Sequence, residues 1–203
     1  MYKPVAQFVM GRAVKELFQI WFTNMDDVIA VRNMLATDVE RVFQWRNDPR
    51  VRQFMFNTAP LDPDGHAPWF DNTDQDPLRH LLLVCQDSRP FGFVQFTVQS
   101  CRRVADWGFY VDPNGPKGQG ALLGHAALDY GFNALGLHRI CGQVVAHNHR
   151  SVVFHERLGF TAEGVLRSHH LSDNGYQDLH LFGLLASEWA NSTGAAISSG
   201  NKV

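Results

Sequence analysis

A glycine-rich turn, Gly115-Pro-Lys-Gly-Gln-Gly-Ala121, joins a strand-like run to a long helical pattern, and this junction constrains the chain most. The run before it is Val104–Val111. Beyond it Leu123, Ala126, Ala127, Tyr130 and Ala134 return every three or four residues, and Gly136 stands where a helix C-cap belongs. The glycines permit a tight turn that presents successive N–H groups, and the helix behind adds partial positive charge. A strand, an anion-binding turn and a helix in that order point to an α/β arrangement. The turn is not a P-loop, because no Gly-Lys-Ser/Thr follows. It is not a dinucleotide fingerprint either, because Leu123 occupies the place of the third glycine.

The flanking signals extend this frame. Val28–Leu35 reads as a strand, and Thr37 or Asp38 can cap a helix that carries Val39, Val42, Phe43 and Trp45 up to Pro49. A short helix is predicted around Gly65–Asn72. His80–Gln86, Phe91–Gln99 and Val104–Val111 form an antiparallel meander. Ile140–Ala146 is a further strand, and Asn148 opens a helix that ends at Gly159. Two last strands, Thr161–His170 and Tyr176–Leu185, meet at the turn Ser172-Asp-Asn-Gly175. The organisation is an extension over 1–27, one domain over 28–190 and a small, polar tail over 191–203, expected to be flexible. The apolar side chains of the extension, among them Phe8, Leu17, Phe18, Trp21 and Phe22, are spaced only loosely for a helix. An added helix and a contact surface both remain open for it.

Composition excludes several classes. Eighteen Lys+Arg against twenty Asp+Glu give a net charge of -2, so this is no basic nucleic-acid glove. No apolar run approaches the ~18 residues of a membrane span. Cys85, Cys101 and Cys141 form no CxxC pair, which suits reduced thiols and a cytoplasmic location. His147-x-His149 and His169-His170 lack partners at ligand spacing, so no metal is expected. Exposed strands and the apolar extension are compatible with a homodimer.

The ordered set of Trp107-Gly-Phe-Tyr-Val-Asp-Pro113, the glycine turn, Asn148-His-Arg-Ser151 and Phe154-His-Glu-Arg-Leu-Gly-Phe160 resembles the GNAT N-acetyltransferase superfamily over about Val28 to Trp189. The resemblance implies an α/β (α+β) fold whose mixed, mostly antiparallel sheet is splayed between its fourth and fifth strands and flanked by helices. It implies acetyl-CoA as co-substrate, its pyrophosphate held by the amides of Lys117, Gly118, Gln119, Gly120, Ala121 and Leu122. The pantetheine arm would lie in the splay near Asn148 and Ser151, and an N–H of Tyr110 or Val111 would polarise the thioester carbonyl. One departure is Gly115, where the signature carries Gln or Arg; Lys117 is the nearest cation.

Many members carry tyrosine as the acid for the leaving thiolate at the position of His155. Imidazole can donate there too, so His155 is the candidate acid and a half-buried surface histidine the plain alternative. Asp106 and His66 are candidate general bases for an ammonium acceptor. The stretch Trp45-Arg-Asn-Asp-Pro-Arg-Val-Arg-Gln-Phe-Met-Phe-Asn57, with His66-x-x-Trp69-Phe70, is similar to the branch holding ribosomal-protein acetyltransferases and the amino-sugar acetyltransferases of pseudaminic acid synthesis. It leans to the latter, which acetylate the 4-amino group of a UDP-linked 4-amino-4,6-dideoxy sugar. Arg50 and Arg52 would then meet a diphosphate, with Phe56, Asn57 and Trp69 on the nucleotide sugar. Protein N-termini, polyamines and other small amines remain alternative acceptors. A non-catalytic acetyl-CoA-binding module is the alternative of another class.

Overall fold

The computed structural model describes residues 3–8, 18–24, 27–172 and 175–198. Its strands are β1 (Lys3–Phe8), β2 (Phe18–Asn24), β3 (Asp27–Asn33), β4 (Arg79–Gln86), β5 (Arg89–Val98), β6 (Val104–Val111), β7 (Arg139–Val145), β8 (Thr161–Ser172) and β9 (Gly175–Leu185). Its helices are α1 (Val39–Asn47), α2 (Pro49–Arg52), α3 (Pro63–Asp74), α4 (Gln119–Asp129), α5 (His149–Arg157) and α6 (Ala186–Ser198). A wider π-helical turn over Tyr130–Ala134 extends α4, and Gly136, at φ +65°, ends it.

The nine strands form one sheet in the order β1-β2-β3-β4-β5-β6-β7-β9-β8. Every neighbouring pair is antiparallel except β6 and β7. That parallel ladder holds three pairs, Val104–Arg139, Ala105–Ile140 and Asp106–Cys141. Past them the strands part. β6 stays paired with β5 as far as Val111–Gly92, and β7 stays paired with β9 as far as Val145–Leu179. The sheet is therefore split between two strands that each remain fully paired on their other side.

Strand alternation builds a core on each face. On β4, Leu82 and Val84 point to the larger core, which α4 and α5 cover with Leu123, Ala127 and Leu158. Leu81, Leu83 and Cys85 point to the other, where Val42 and Trp45 of α1 and Phe70 of α3 close over Phe93. On β6, Ala105 and Trp107 face the first core and Tyr110 the second.

Three expectations change. The segment read as loosely helical or as a contact surface supplies β1 and β2, and β2 pairs with β3, so the sheet runs through residue 27. The small, polar segment from Asn191 continues helix α6 to Ser198, and 199–203 lie outside the described residues. Asp38 precedes α1 but makes no side-chain cap to it. Its buried carboxylate accepts from Arg32 at 2.6 and 2.9 Å and from the Leu35 N–H at 2.9 Å, pinning the start of α1 to β3. In the β8–β9 turn, Asp173 and Asn174 lie outside the described residues, while Ser172 pairs with Gly175 across it.

Candidate functional site

The glycine turn delivers the expected geometry. Gly118 is the N-cap of α4 in the left-handed region, at φ +98°, where a side chain costs about 1–2 kcal/mol. Lys117 and Gly118 are exposed, so the helix N-terminus opens to solvent. Gly115, where the signature carries Gln or Arg, lies against Gln119. A Cβ on Gly115 would stand 2.2 Å from Oε1 of Gln119. Gln119 is buried, and that oxygen has no hydrogen-bond partner among the described residues. The turn thus folds over its own glutamine, and a side chain at 115 would require that glutamine to move.

The split lies next to this turn. Carbonyl and N–H groups alternate in direction along a strand. Asp112 N–H bonds Phe91 O, and Val104 O accepts from Gln99 N–H, so the even-numbered residues of β6 turn to β5. Phe109 and Val111 therefore turn their N–H groups to the split. Of the two expected oxyanion donors Val111 faces the slot, whereas the Tyr110 N–H is engaged with β5.

His155, the candidate acid, lies in the interior. Only 2% of it is exposed. Trp107 Nε1–H donates to its Nε2 at 3.1 Å. Indole nitrogen is a donor only, so Nε2 carries the lone pair and Nδ1 the proton. That proton goes to Ser151 O, 2.7 Å away. Burial outweighs this bond and pushes the His155 pKa down to about 4, so the ring is neutral at pH 7 with both nitrogens engaged. No proton is directed at the split. Asn148 caps α5, its Oδ1 accepting from Ser151 N–H at 3.1 Å. The expected arm-binding residues and His155 thus form one hydrogen-bonded chain.

Asp106 is the last residue of the parallel ladder, on the strand face shared with Tyr110, and accepts from Gln99 Nε2 at 3.3 Å. His66 lies on α3, with its side chain outside the described residues.

Arg50 is exposed, clamps Asp48 and donates to Asn114 Oδ1 at 2.8 Å, tying α2 to the loop before the glycine turn. Phe56 remains 52% exposed, edge-on to His170. The Asn57 side chain serves its own turn through Ala59 N–H. Trp69 and Tyr110 both lie against Phe93, with ring centroids 6.5 and 5.0 Å from it. The cation beside this aromatic floor is Arg46, which the spacing argument passed over. Its Nη2 donates to Asn57 O at 2.6 Å, and its Nη1 is buried with no partner among the described residues. Burial pulls the Arg46 pKa below the ordinary arginine value; Tyr110 opposes this and the nearby Arg52 adds to it. Burial likewise pushes the Tyr110 hydroxyl up. On the far side of α1 a cleft of about 480 Å³ is lined by Glu40, Arg41, Asp48 and Asp112 among others.

Among the described residues no group of His, Cys, Asp and Glu is placed to hold a metal ion, and no helix is long and apolar enough to cross a membrane. The split sheet, the positive-φ turn and the outward N–H groups of Phe109 and Val111 fit an extended thioester with a pyrophosphate at one end.

Residues 29–161 match the family model described as an acetyltransferase (GNAT) domain. Acetyltransferase PseH of Campylobacter jejuni (strain 81-176) is 31% identical over 129 residues, 62% of this chain and 78% of that relative. Spermidine N(1)-acetyltransferase of Vibrio cholerae is 36% identical over 171 residues, 82% of this chain and 98% of that relative. A crystal structure of spermidine N-acetyltransferase from Vibrio cholerae, in complex with CoA and spermine, superposes with a TM-score of 0.75. The superposition covers 83% of this chain and 100% of that one, at 24% identity. The chain belongs to the GNAT family of acetyltransferases.

Proposed function

We propose that the chain transfers acetyl from acetyl-CoA to the amino group of a small, anionic acceptor, a nucleotide-linked amino sugar. The observation that carries the reading is Arg46. A buried guanidinium nitrogen without a partner calls for an acceptor anion, and Arg52 beside it strengthens the same field. A polycation would add charge where charge is already unpaired. Trp69 and Tyr110, both half-buried and backed by the buried Phe93, would give a sugar or base ring apolar surface. The likeness to PseH supports this direction. Asp106, at the apex of the split, would take a proton from the acceptor ammonium, directly or through water. Acetyl-CoA supplies the activated acyl group. Gly118 and the α4 N-terminus would hold its pyrophosphate, and the Val111 N–H would meet the thioester oxygen.

Polyamine acetylation is the second reading. It is favoured by the spermidine acetyltransferase relative and by the carboxylates lining the cleft beyond α1. Thiol release from acetyl-CoA decides between them. Turnover with a UDP-linked 4-amino sugar at least tenfold above that with spermidine is the expected result, and the reverse ranking removes the nucleotide-sugar reading. Thermal stabilisation by coenzyme A with turnover on neither amine would mark a binding module. For the turn, Gly118→Val is expected to weaken coenzyme A binding about tenfold, a loss of roughly 1.4 kcal/mol, while leaving the circular dichroism spectrum intact. Calorimetric titration measures it, and unchanged affinity would place the pyrophosphate elsewhere.

A further inference from the structure

The parallel ladder ends at Asp106 and Cys141, so the next facing pair would be Trp107 and Gly142. At this point the strands separate, and two side chains meet over Gly142. A Cβ there would stand 2.5 Å from His155 Nε2 and 3.2 Å from Trp107 Nε1. The Trp107–His155 hydrogen bond therefore passes directly over the first residue of β7 that is no longer paired with β6. One end is anchored on β6 and the other on α5, the helix that follows β7. Rings hold both ends in place. Phe182 stacks on His155 with centroids 5.0 Å apart, Phe160 meets it edge-on at 5.0 Å, and Trp107 stacks on Phe160 at 5.3 Å.

We propose that the Trp107–His155 bond is a crossbar that fixes the width of the β6–β7 split at its apex, so that His155 is a positioning residue for the thioester and not a proton donor. The inference rests on the acetyl-CoA reading of the split. The bond has a fixed length and joins two packed rings, so the strands can neither zip together past Asp106 nor spread further apart without breaking it. A second link follows from the helix. His155 Nδ1–H reaches Ser151 O, and Ser151 N–H reaches Asn148 Oδ1, so the crossbar and the α5 N-cap are set by one chain of bonds. The lone pair of Nε2 is committed to the indole, which leaves the ring no free nitrogen to turn toward a sulfur atom.

Coenzyme A binding, measured by calorimetry, tests this on the full chain. His155→Leu and Trp107→Phe are each expected to weaken binding about tenfold, and the double variant no more than either alone, because both remove the same bond. His155→Gln cannot titrate but can accept from the indole and donate to Ser151 O. It should stay within about threefold of wild type. Nitrogen NMR of the wild-type imidazole should show a neutral ring protonated at Nδ1, unchanged when coenzyme A is added. A ring that gains or loses a proton on adding coenzyme A overturns the proposal, as does wild-type affinity in His155→Leu. If that variant does not fold, Trp107→Phe and His155→Gln carry the test with the same expected values. A wild-type chain that does not bind coenzyme A overturns the slot reading itself, which the variants alone cannot do.

Discussion

Arg46→Met should reduce kcat/KM for the amino-sugar acceptor about 100-fold, while the KM for acetyl-CoA and the melting temperature hold or improve. The size follows from losing a charge-assisted hydrogen bond in a desolvated site, roughly 2–3 kcal/mol. The sign of the stability change follows from the unpartnered nitrogen. A buried guanidinium with an unmet Nη1 costs folding free energy, and methionine fills similar volume without that cost. Its bond to Asn57 O lies on an exposed segment where water can replace it. Activity and stability are then expected to move in opposite directions, as at sites retained for function. With spermidine as the substrate the same variant should gain turnover, since a repelling charge is gone. Steady-state kinetics on both amines and a thermal melt settle it, and unchanged amino-sugar kinetics would remove Arg46 from the site.

Between pH 7 and pH 4 the loss of stability against urea should include about 3 kcal/mol from His155, beside the losses from the half-buried His80 and His125, and His155→Gln should remove that share. The ring is neutral when folded, with its pKa lowered from 6.5 to about 4, chiefly by burial. The unfolded chain therefore binds the proton first as pH falls. The contribution is complete above pH 6.5 and is lost on the way down to about 4, and a shift of this size is worth about 3 kcal/mol. Carboxylates held low act in a more acidic range. Asp38 is one: burial pushes it up, but the bonds from Arg32 and the Leu35 N–H pull it below the usual value. Its contribution is present above the unfolded carboxylate value, roughly 4, and is lost as pH falls through the lower folded one. Urea titrations at several pH values for both proteins measure the difference. Equal slopes would mean that the ring is charged when folded or that it titrates at its ordinary value.

Much of the fold was legible because it is local. The continuous apolar run of Leu81 to Cys85, the period of Leu123 to Ala134, and the caps at Asn148 and Gly159 each act within a few residues. The extension was harder. Phe18, Ile20 and Phe22 alternate as a strand does, but Trp21 between them blurs the period, and pairing with β3 decides the outcome. The tail reads as loose because Ser, Gly and Asn dominate it, yet α6 runs through Asn191 to Ser198. At the site the turn and Asn148 were visible as motifs, and the contact between Gly115 and Gln119 was not. Nor could the role of His155 be read, because its partner Trp107 is 48 residues away in the chain. Arg46 was hidden for a related reason. Arg50 and Arg52 looked like a matched pair, but helix geometry sends Arg50 to Asn114 and leaves Arg46 against Tyr110.

The three-pair ladder also has a mechanical meaning. Hydrogen-bonded strands transmit shear from one to the next, and along most of this sheet they do so over five or more pairs. Between β6 and β7 only three pairs carry it, at one end. Load crossing from the β1–β6 side to the β7–β9–β8 side must pass instead through side-chain packing under α4 and α5. The protein therefore behaves as two stiff plates joined by a short seam. Its softest deformation is a change in the angle between those plates, concentrated along the line where the substrates are expected to meet.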